Sequence, residues 1–353
     1  MRNIADQPMT LPFTSPLEPM LADPQNEIPS GEGWVYEPKW DGFRALPFKD
    51  GDKVHLCSRN GQPLERYFPE VVAMLAERLP PCILDGELFV PTANGLDFQT
   101  LQQRIHPANS RVLKLSKETP AAFVAFDLLA LGEEDWRARP FAERRAKLLE
   151  IVPVSDTLFP TPQTTDPKIA LDWFNHFEGA GLDGIIARRL ELPYLPGKRV
   201  MVKVKHGRTA DCVVGGYRAG KAEDTVGALL LGMYDDQGVL HHVGHTSSFK
   251  AKEKKELVDK LKPYEGGTSF GEGRTPGGPS RWSGTKDLSW TPLRPELVVE
   301  VKFDYLQGDR FRHGATFLRW RTDKPPRECS YGQLAPPRPF NLEEVIALAR
   351  AAR

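Results

Sequence analysis

The feature that most constrains the fold is a succession of short apolar strands separated by turn residues. Residues 34–58 contain three such strands, and Asp50-Gly51 is a hairpin signal among them. Residues 82–90 repeat the pattern, and Asp85-Gly86 is expected to turn the chain between two strands. Helical periodicity is found in isolated segments, namely residues 68–79, 141–151 and 168–178. The chain is therefore expected to fold around short strands, with helices beside them.

The pattern changes near His206, after which short strands follow one another closely. They are expected at residues 212–217, 228–234, 239–243, 296–303 and 316–320. One amphipathic helix is expected at residues 250–261, and a loop rich in Gly, Pro, Ser and Thr, predicted to be mobile, at 265–284. This order suits a five-stranded barrel of the OB type, although spacing alone does not prove it. A final helix is expected at residues 342–352.

Length and composition limit the organisation of the chain. With 353 residues it is too long for one small core, and we predict two domains, residues 1–205 and 206–353. The net charge is zero, divided as −4 over the first domain (24 Lys and Arg against 28 Asp and Glu) and +4 over the second (23 against 19). This asymmetry is compatible with chance and with a C-terminal half that faces phosphates.

Compartment and membrane association also leave traces in a sequence. No stretch is apolar enough to span a membrane, and the N-terminus lacks the apolar core of a signal peptide. The four cysteines are far apart and form no CxxC pair, which argues against structural zinc and a disulfide framework. These features fit a reducing cytoplasm.

The run EPKWDGFR at residues 37–44 carries the first sign of chemistry. Lys39 lies at the end of an expected strand, two residues before Asp41-Gly42 and five before Arg44, and Asp41-Gly42 is expected to turn the chain into the next strand. A lysine attacks only as the neutral amine, and its ordinary pKa of about 10.4 makes that form rare at neutral pH. Glu37 and Asp41 oppose deprotonation, whereas Arg44, a metal ion and burial favour it. Alone, the run fits a nucleophile or a surface salt bridge at a strand end.

Further polar residues follow at the ends of later strands. Phosphoryl transfer needs cations for the phosphates, carboxylates for a divalent metal and a ring for the base. Such residues are Arg59, Glu87, Phe126, Asp183, Lys203 and Lys205. Each also has an ordinary structural explanation, such as a turn residue, a solvated strand end or a core phenylalanine. Lys203 and Lys205 lie two residues apart and therefore on one face of a strand.

The order and spacing of these residues resemble the motifs of covalent nucleotidyltransferases, and specifically of ATP-dependent DNA ligases. The resemblance covers nearly the whole chain and is closest to the small bacterial C-type ligases, as in the runs at residues 15–22, 98–104, 125–129 and 310–314. Three positions depart from the family pattern. Asp183 replaces a glutamate, Arg188 replaces a lysine, and Met201 stands where an aromatic residue is common.

This resemblance implies an α+β fold, with a nucleotidyltransferase domain of antiparallel sheets and flanking helices, followed by an OB-fold barrel that includes the C-terminal helix. It implies sealing of nicks between a 3′-hydroxyl and a 5′-phosphate in duplex DNA, with ATP as cofactor, AMP carried on Lys39, and Mg²⁺ or Mn²⁺. The catalytic residues implied are Lys39, Asp41, Arg44, Lys203 and Lys205. The implied cofactor-binding residues are Glu37, Pro38, Lys39, Arg44, Arg59, Glu87, Phe126, Asp183, Lys203, Lys205, Arg321, Asp323 and Lys324. Glu87 and Asp183 are implied for the metal.

Individual roles follow from the same resemblance. Phe126 is expected to stack on adenine, with Glu37 near its amino group, and Lys203 and Lys205 are expected at the α-phosphate. The segment containing Arg321, Asp323 and Lys324 is expected to orient the pyrophosphate in the first step only, which requires the barrel domain to swing.

The family also suggests partners and setting. It implies a monomer in the bacterial cytoplasm, associated with the nucleoid during base-excision repair or end joining, with a Ku-like or repair-polymerase partner and no membrane contact. Three alternatives stay open: a GTP-dependent RNA-capping enzyme, an RNA ligase, and a non-catalytic OB-type nucleic-acid binder.

Overall fold

The computed structural model describes residues 11–93, 95–271, 276, 289–304, 306–334 and 338–351. The chain divides into two compact units, residues 1–206 together with 337–353, and residues 207–336. The division after residue 206 lies one residue from the predicted domain boundary. The C-terminal segment differs from the prediction, because it belongs to the first unit.

The elements are numbered along the chain. The strands are β1 (Leu21–Gln25), β2 (Trp34–Pro38), β3 (Phe43–Asp50), β4 (Lys53–Ser58), β5 (Cys82–Phe89), β6 (Pro91–Thr92), β7 (Gly95–Leu96), β8 (Ala122–Leu131), β9 (Glu134–Asp135), β10 (Leu158–Pro160), β11 (Gly184–Arg189), β12 (Arg199–Lys205), β13 (Arg208–Ala219), β14 (Val226–Tyr234), β15 (Leu240–Thr246), β16 (Thr291–Pro292), β17 (Val298–Phe303), β18 (Leu306–Gln307), β19 (Arg310–Phe311) and β20 (Thr316–Trp320). The helices are α1 (Pro69–Arg78), α2 (Phe98–Gln103), α3 (Asn109–Glu118), α4 (Phe141–Ile151), α5 (Pro167–His176), α6 (Ala251–Leu261) and α7 (Leu342–Ala351).

Two sheets form the first unit. One has the strand order β1-β12-β11-β2, and the other has the order β10-β8-β5-β3-β4, with β9 beside β8. Pairing is antiparallel except at the edge strands β1 and β10, which pair parallel. Helix α4 packs on β8, and α5 packs on β2 and β11. The predicted α+β class is confirmed, with flanking helices at the expected positions.

Glycine allows two close approaches between strands near the run at 37–44. Asp41-Gly42 is a bend between β2 and β3, which belong to different sheets. A Cβ on Gly42 would lie 2.0 Å from the carbonyl oxygen of Leu88. The prediction of a turn at Asp85-Gly86 is wrong, because β5 runs through both residues. A Cβ on Gly86 would lie 2.2 Å from the carbonyl oxygen of Val124, so this glycine serves close packing of β5 against β8.

The second unit is an OB-like barrel. Its main sheet has the order β15-β14-β13-β17-β20, with β16 beside β13. A parallel bridge between Thr246 and Ala315 joins the end of β15 to the chain just before β20. Helix α6 packs against β14 and buries Leu257 and Leu261 in the barrel core. The hairpin predicted at Asp50-Gly51 in the first unit is also present, because β3 and β4 are antiparallel and Asp50 pairs with Lys53 beside the turn.

Helix α7 packs on the first unit. Its buried residues Leu342, Val345, Ile346 and Ala349 join the core that lies under β2 and β11. The prediction that assigned this helix to the second domain is therefore wrong, since its apolar face is covered by the first. Much of the predicted mobile loop at 265–284 lies outside the described residues. Within those residues, no helix is long and apolar enough to cross a membrane.

Candidate active site

A polar pocket opens between strands of the two sheets in the first unit. Strands β1, β2, β11 and β12 supply one wall, and β3, β5 and β8 supply the other. Its lining includes Glu37, Pro38, Lys39, Arg44, Arg59, Glu87, Phe126, Arg188, Arg199 and Lys203. Eight of these ten were predicted as site residues, and the fold brings them together from positions up to 166 residues apart (37 to 203).

Lys39 lies just after β2, and its backbone is fixed on both sides. Its N–H donates to Gly184 O at 2.9 Å, and its carbonyl accepts the N–H of Asp183 at 2.9 Å. Its Nζ lies 2.8 Å from Asp183 Oδ2. Burial lowers the pKa of Lys39, but Asp183, Asp41 and Glu87 outweigh burial and raise it above the ordinary value. This environment favours the ammonium form of Lys39.

Asp183 lies between two lysines. Lys205 Nζ approaches the same Oδ2 atom at 2.6 Å, so Lys39 and Lys205 share one carboxylate oxygen. Burial raises the pKa of Asp183, yet the two cations lower it below the ordinary value. Lys203, two residues before Lys205 on β12, lines the pocket itself. Burial and the cations Lys205 and Lys39 lower the pKa of Lys203.

Arg44 is held by residues that sequence reasoning missed. Its Nη2 donates to Asp85 Oδ2 at 2.5 Å, and its Nε donates to the other carboxylate oxygen. Tyr194 also donates to Asp85 Oδ2, at 2.7 Å, and accepts the N–H of Met20 at 3.0 Å. Burial lowers the pKa of Arg44, but the charge and the hydrogen bonds of the Asp85 carboxylate raise it, and the pKa of Arg44 lies above its ordinary value. The sequence did contain a signal for this pair. Asp85 lies inside an apolar strand, and a buried carboxylate needs a buried cation as its partner.

A second buried ion network lies at the Glu37 end of the pocket. Arg188 Nε donates to Glu37 Oε1 at 2.9 Å, and Arg188 Nη1 donates to Asp127 Oδ2 at 3.1 Å. Gln163 Nε2 donates to the other oxygen of Glu37 at 3.0 Å. Arg144 forms a bidentate pair with Asp127 at 2.8 and 2.9 Å. Glu37 is thus fixed from both sides, by Arg188, which departs from the family pattern, and by Gln163, which the sequence did not indicate.

Phe126 on β8 presents its ring to the pocket between two cations. The guanidinium carbons of Arg44 and Arg188 lie 5.2 and 5.9 Å from the ring centroid. The ring is 6% exposed, which leaves a small accessible face in the pocket. An aromatic face in a slot with polar ends is a suitable surface for a planar base.

Glu87 and Asp183 provide the carboxylates near Lys39. Burial raises the pKa of Glu87 to about 7, against the opposing effect of Arg44 and Lys39. No group of three or more His, Cys, Asp or Glu side chains in the described ranges is arranged as a complete metal site. Mg²⁺ commonly binds one or two carboxylates and takes its other ligands from phosphates and water. The hard oxygen donors of Glu87 and Asp183 fit that mode.

The remaining predicted residues lie in the second unit, just after β20. Arg321 Nη1 forms a bidentate pair with Asp211 at 2.9 and 3.0 Å, and its Nη2 donates to Asp323 Oδ2 at 2.9 Å. Hydrogen bonds from Arg321 are the main reason that the pKa of Asp323 falls to about 2. Lys324 Nζ lies 3.2 Å from Glu328. In this structure the three side chains are paired within the barrel unit.

Both units match known protein families. Residues 19–205 match the model described as "ATP dependent DNA ligase domain", and residues 222–324 match "ATP dependent DNA ligase C terminal region". The chain is 50% identical over 358 residues to DNA ligase C of Mycobacterium tuberculosis, which covers 96% of this chain and 99% of the relative. It is also 50% identical over 345 residues to DNA ligase C2 of Mycolicibacterium smegmatis, covering 93% and 97% of the two chains.

A solved structure agrees with the fold. A structure from a structure-function study of Lig E DNA ligases superposes with a TM-score of 0.56 at 19% identity, covering 86% of this chain and 99% of that one. At this identity the match bears on the fold alone, and it supports a nucleotidyltransferase unit followed by an OB-like unit.

Proposed function

The chain belongs to the ATP-dependent DNA ligase family, and on that premise we propose that Lys39 carries AMP from ATP to a nick in duplex DNA. The observation that supports this most strongly is the position of Lys39. Its amine lies in a pocket that also contains a base-sized aromatic face, the cations Arg44 and Lys203, and the carboxylate of Glu87. Nucleotidyl transfer requires this combination around one nucleophile.

The proposed reaction has three steps. The neutral amine of Lys39 attacks the α-phosphorus of ATP, so that an N–P bond forms and pyrophosphate leaves. A 5′-phosphate oxygen at the nick then attacks that phosphorus and releases the lysine. Finally the 3′-hydroxyl attacks the 5′-phosphorus, which closes the backbone and releases AMP. Each step exchanges one bond at phosphorus, so the protein contributes positioning and charge.

Deprotonation of Lys39 is the first problem that the site must solve. Lys205 Nζ competes with Lys39 for the same Oδ2 atom of Asp183, at 2.6 against 2.8 Å. When Asp183 pairs with Lys205, Lys39 loses its main stabilising carboxylate and faces the cations Lys203 and Arg44. Both changes lower the pKa of the amine and favour the attacking form.

Glu87 and Asp183 would hold Mg²⁺ or Mn²⁺ together with phosphate oxygens. When bound, the ion neutralises charge on the phosphates. Arg44 and Arg59 are proposed near the ribose and the nick phosphate, Phe126 on the base, and Glu37, fixed by Gln163 and Arg188, at its amino group. Pro38 and Lys205 complete the contacts, with Asp41 beside the nucleophile.

The cellular setting proposed from the family is DNA repair in the bacterial cytoplasm, at the nucleoid. The protein would act as a monomer on nicked duplex DNA, with a Ku-like protein or a repair polymerase as a partner. Both units match DNA-ligase models, so the capping-enzyme, RNA-ligase and non-catalytic alternatives lose their support.

Self-adenylylation tests the central assignment. Purified protein is incubated with ATP labelled at the α-phosphate and a divalent metal, and then with a nicked duplex. We expect Lys39→Ala and Lys39→Arg to abolish both label transfer and sealing, because neither side chain offers a neutral amine at pH 7 to 8. The matched control is Lys49→Arg on β3, another largely buried lysine, and it should retain both activities. Sealing by Lys39→Ala at the normal rate, or label from GTP alone, would refute the proposal.

A further inference from the structure

Helix α7 is part of the catalytic unit, although it follows the barrel in sequence. Its face of Leu342, Val345, Ile346 and Ala349 is at most 5% exposed. These residues share one core with Phe177, Ala180 and Leu182, among others. The helix packs on the segment that leads to Asp183 and on strand β10.

The residues just before α7 pack directly against the backbone of the segment that leads to Asp183. A Cβ added to Gly179 would lie 1.8 Å from the carbonyl oxygen of Arg338 and 2.7 Å from the amide nitrogen of Phe340. The rings of Phe340 and Phe177 pack with centroids 5.1 Å apart. At the far end of the helix, Arg350 pairs with Asp156. Gly179 is needed here because any side chain would push the two backbones apart.

The segment under α7 continues directly into the active site. Residues Phe177–Ala180 form a 3-10 helix, and Gly181 ends it in the left-handed conformation at φ 85°. Leu182 N–H donates to Phe177 O at 3.3 Å, and the next amide, that of Asp183, donates to Lys39 O at 2.9 Å. The position of the Asp183 backbone thus depends on a short segment with α7 on one side and Lys39 on the other.

We propose that α7 is a positioning element of the adenylation site, which fixes the backbone of Asp183 beside the backbone of Lys39. This rests on the proposed role of Lys39. The aspartate at 183 is one methylene shorter than the glutamate of the family pattern, so its side chain has less reach to correct a displaced backbone. Packing of α7 behind residues 177–182 would fix the backbone of Asp183 and so place its short side chain accurately. Misplacement of a reacting group by about 1 Å costs roughly 100-fold in rate, so the support matters for catalysis.

Variants of the α7 contact test this proposal without altering a residue of the pocket. Gly179→Ala separates the backbones at Arg338, and Ile346→Val removes one buried methylene from the helix face. The control is Leu348→Ala on the same helix, because Leu348 is 36% exposed. For each variant, the maximal rate of self-adenylylation and the KM for ATP are measured at one pH, together with the thermal unfolding midpoint.

We expect Gly179→Ala to slow label transfer roughly 10- to 100-fold while the protein stays folded at the assay temperature. Ile346→Val should show the same direction with a smaller effect, and Leu348→Ala should match the parent protein. In the Asp183→Asn background, Gly179→Ala should add little further loss, since both act through one contact.

Two results would overturn the proposal. One is a Gly179→Ala protein with a lowered unfolding midpoint but an unchanged maximal rate in its folded fraction. The other is full additivity of Gly179→Ala and Asp183→Asn. Failure of the proposed function is distinguishable, because label transfer by Lys39→Ala would reveal it whatever the helix variants do.

Discussion

At the scale of single residues, the surroundings of Lys39, the proposed nucleophile, favour its cationic form over the neutral amine that attacks. The pKa of Lys39 is raised because Asp183 lies 2.8 Å from its Nζ, which favours the ammonium form. Burial works in the opposite direction and is offset by the carboxylates around it. We therefore expect adenylylation to depend on how easily the ion pair between Asp183 and Lys39 breaks. Lys205 is the second partner of Asp183 and can keep its carboxylate paired when Lys39 is released.

Asp183→Asn tests this account through pH. The neutral amide no longer stabilises the ammonium, so the pKa of Lys39 should fall and the amine should become available at lower pH. The rising limb of the self-adenylylation profile should move down by roughly one to two pH units, the usual effect of one close opposite charge. The plateau rate should fall as well, because Asp183 is a proposed metal contact. Label transfer measured from pH 5.5 to 9 at fixed metal concentration gives the profile.

A matched control for this variant is Asp41→Asn. Asp41 also raises the pKa of Lys39, but it contributes less than Asp183 does. Its shift should have the same sign and a smaller size. A profile for Asp183→Asn with its limb unmoved, or moved to higher pH, would contradict the ion-pair explanation.

The residue types of the site could be predicted from the sequence, but their pairings could not. Lysines, arginines, carboxylates and an aromatic residue stand at the motif positions, and most of these side chains line the pocket. The pairs Arg44 with Asp85 and Arg188 with Glu37 join residues 41 and 151 positions apart. Each pair lies on neighbouring strands of one sheet, β3 with β5 and β2 with β11, and only the strand order of the folded protein brings such partners together. Gln163 carried no signal, since it lies in a loop and its role exists only through Glu37.

At the scale of elements, glycine lets the strands around the pocket pack closely. Gly42 and Gly86 both face a carbonyl oxygen of a neighbouring strand at a distance that excludes a Cβ. Read from the sequence, Asp-Gly indicated turns at both places. The structure has a bend at Gly42 and a continuous strand at Gly86, because close approach also selects glycine, and a sequence does not separate the two causes.

Gly42→Ala should damage the site through the backbone. The added Cβ would lie 2.0 Å from Leu88 O, an atom that belongs to β5 and cannot rotate away. Overpacking of this kind typically destabilises by about 1–3 kcal/mol, and here it also displaces the strand that carries Glu87. We expect a lower unfolding midpoint for the first unit and weaker self-adenylylation, measured by thermal denaturation and by label transfer.

Gly332→Ala is a suitable comparison for that variant. At Gly332 the nearest atom to an added Cβ is Ser330 Oγ at 3.5 Å, an ordinary contact. It should leave both measurements close to those of the parent protein. A Gly42→Ala protein with parental stability and label transfer would show that β3 and β5 can move apart at no cost.

Also at the scale of elements, the number of side chains that a helix buries decides whether the sequence predicts it. Helix α4 occupies the predicted residues 141–151, and its stripe of buried side chains gave the period. Helices α2 and α3 were not predicted, and each buries a single residue, Leu101 and Val112 respectively. A helix that buries one side chain has no apolar stripe, so periodicity cannot find it.

At the scale of the whole molecule, the barrel is an insertion in the catalytic unit. The chain leaves that unit after residue 206 and returns to it from residue 337. The sequence predicted a helix at the C-terminus, but an amphipathic helix fits any apolar surface, and its pattern does not name the domain it covers. Any swing of the barrel during catalysis must therefore bend the chain at two connections.

Asp323→Ala tests whether such a swing separates the steps of the reaction. Asp323 fixes Arg321 in a forked pair at 2.9 to 3.3 Å, and both belong to the segment expected to orient pyrophosphate. Removing Asp323 frees Arg321 on that side, while its bidentate pair with Asp211 remains. The pair with Asp323 is exposed and contributes little to stability, so the fold should survive.

The two halves of the reaction should respond differently to this change. Self-adenylylation should fall by roughly 100-fold, as when one positioned electrostatic group is lost, while sealing of a pre-adenylylated nick should stay within about threefold. The first is measured with labelled ATP and the second with a nick that already carries AMP, under single-turnover conditions. Asp259→Ala, an exposed aspartate on α6, controls for the loss of one surface charge from the same unit. Equal losses in both reactions would mean that Asp323 acts throughout the cycle, and a barrel that engages the nucleotide in the first step only would then be excluded.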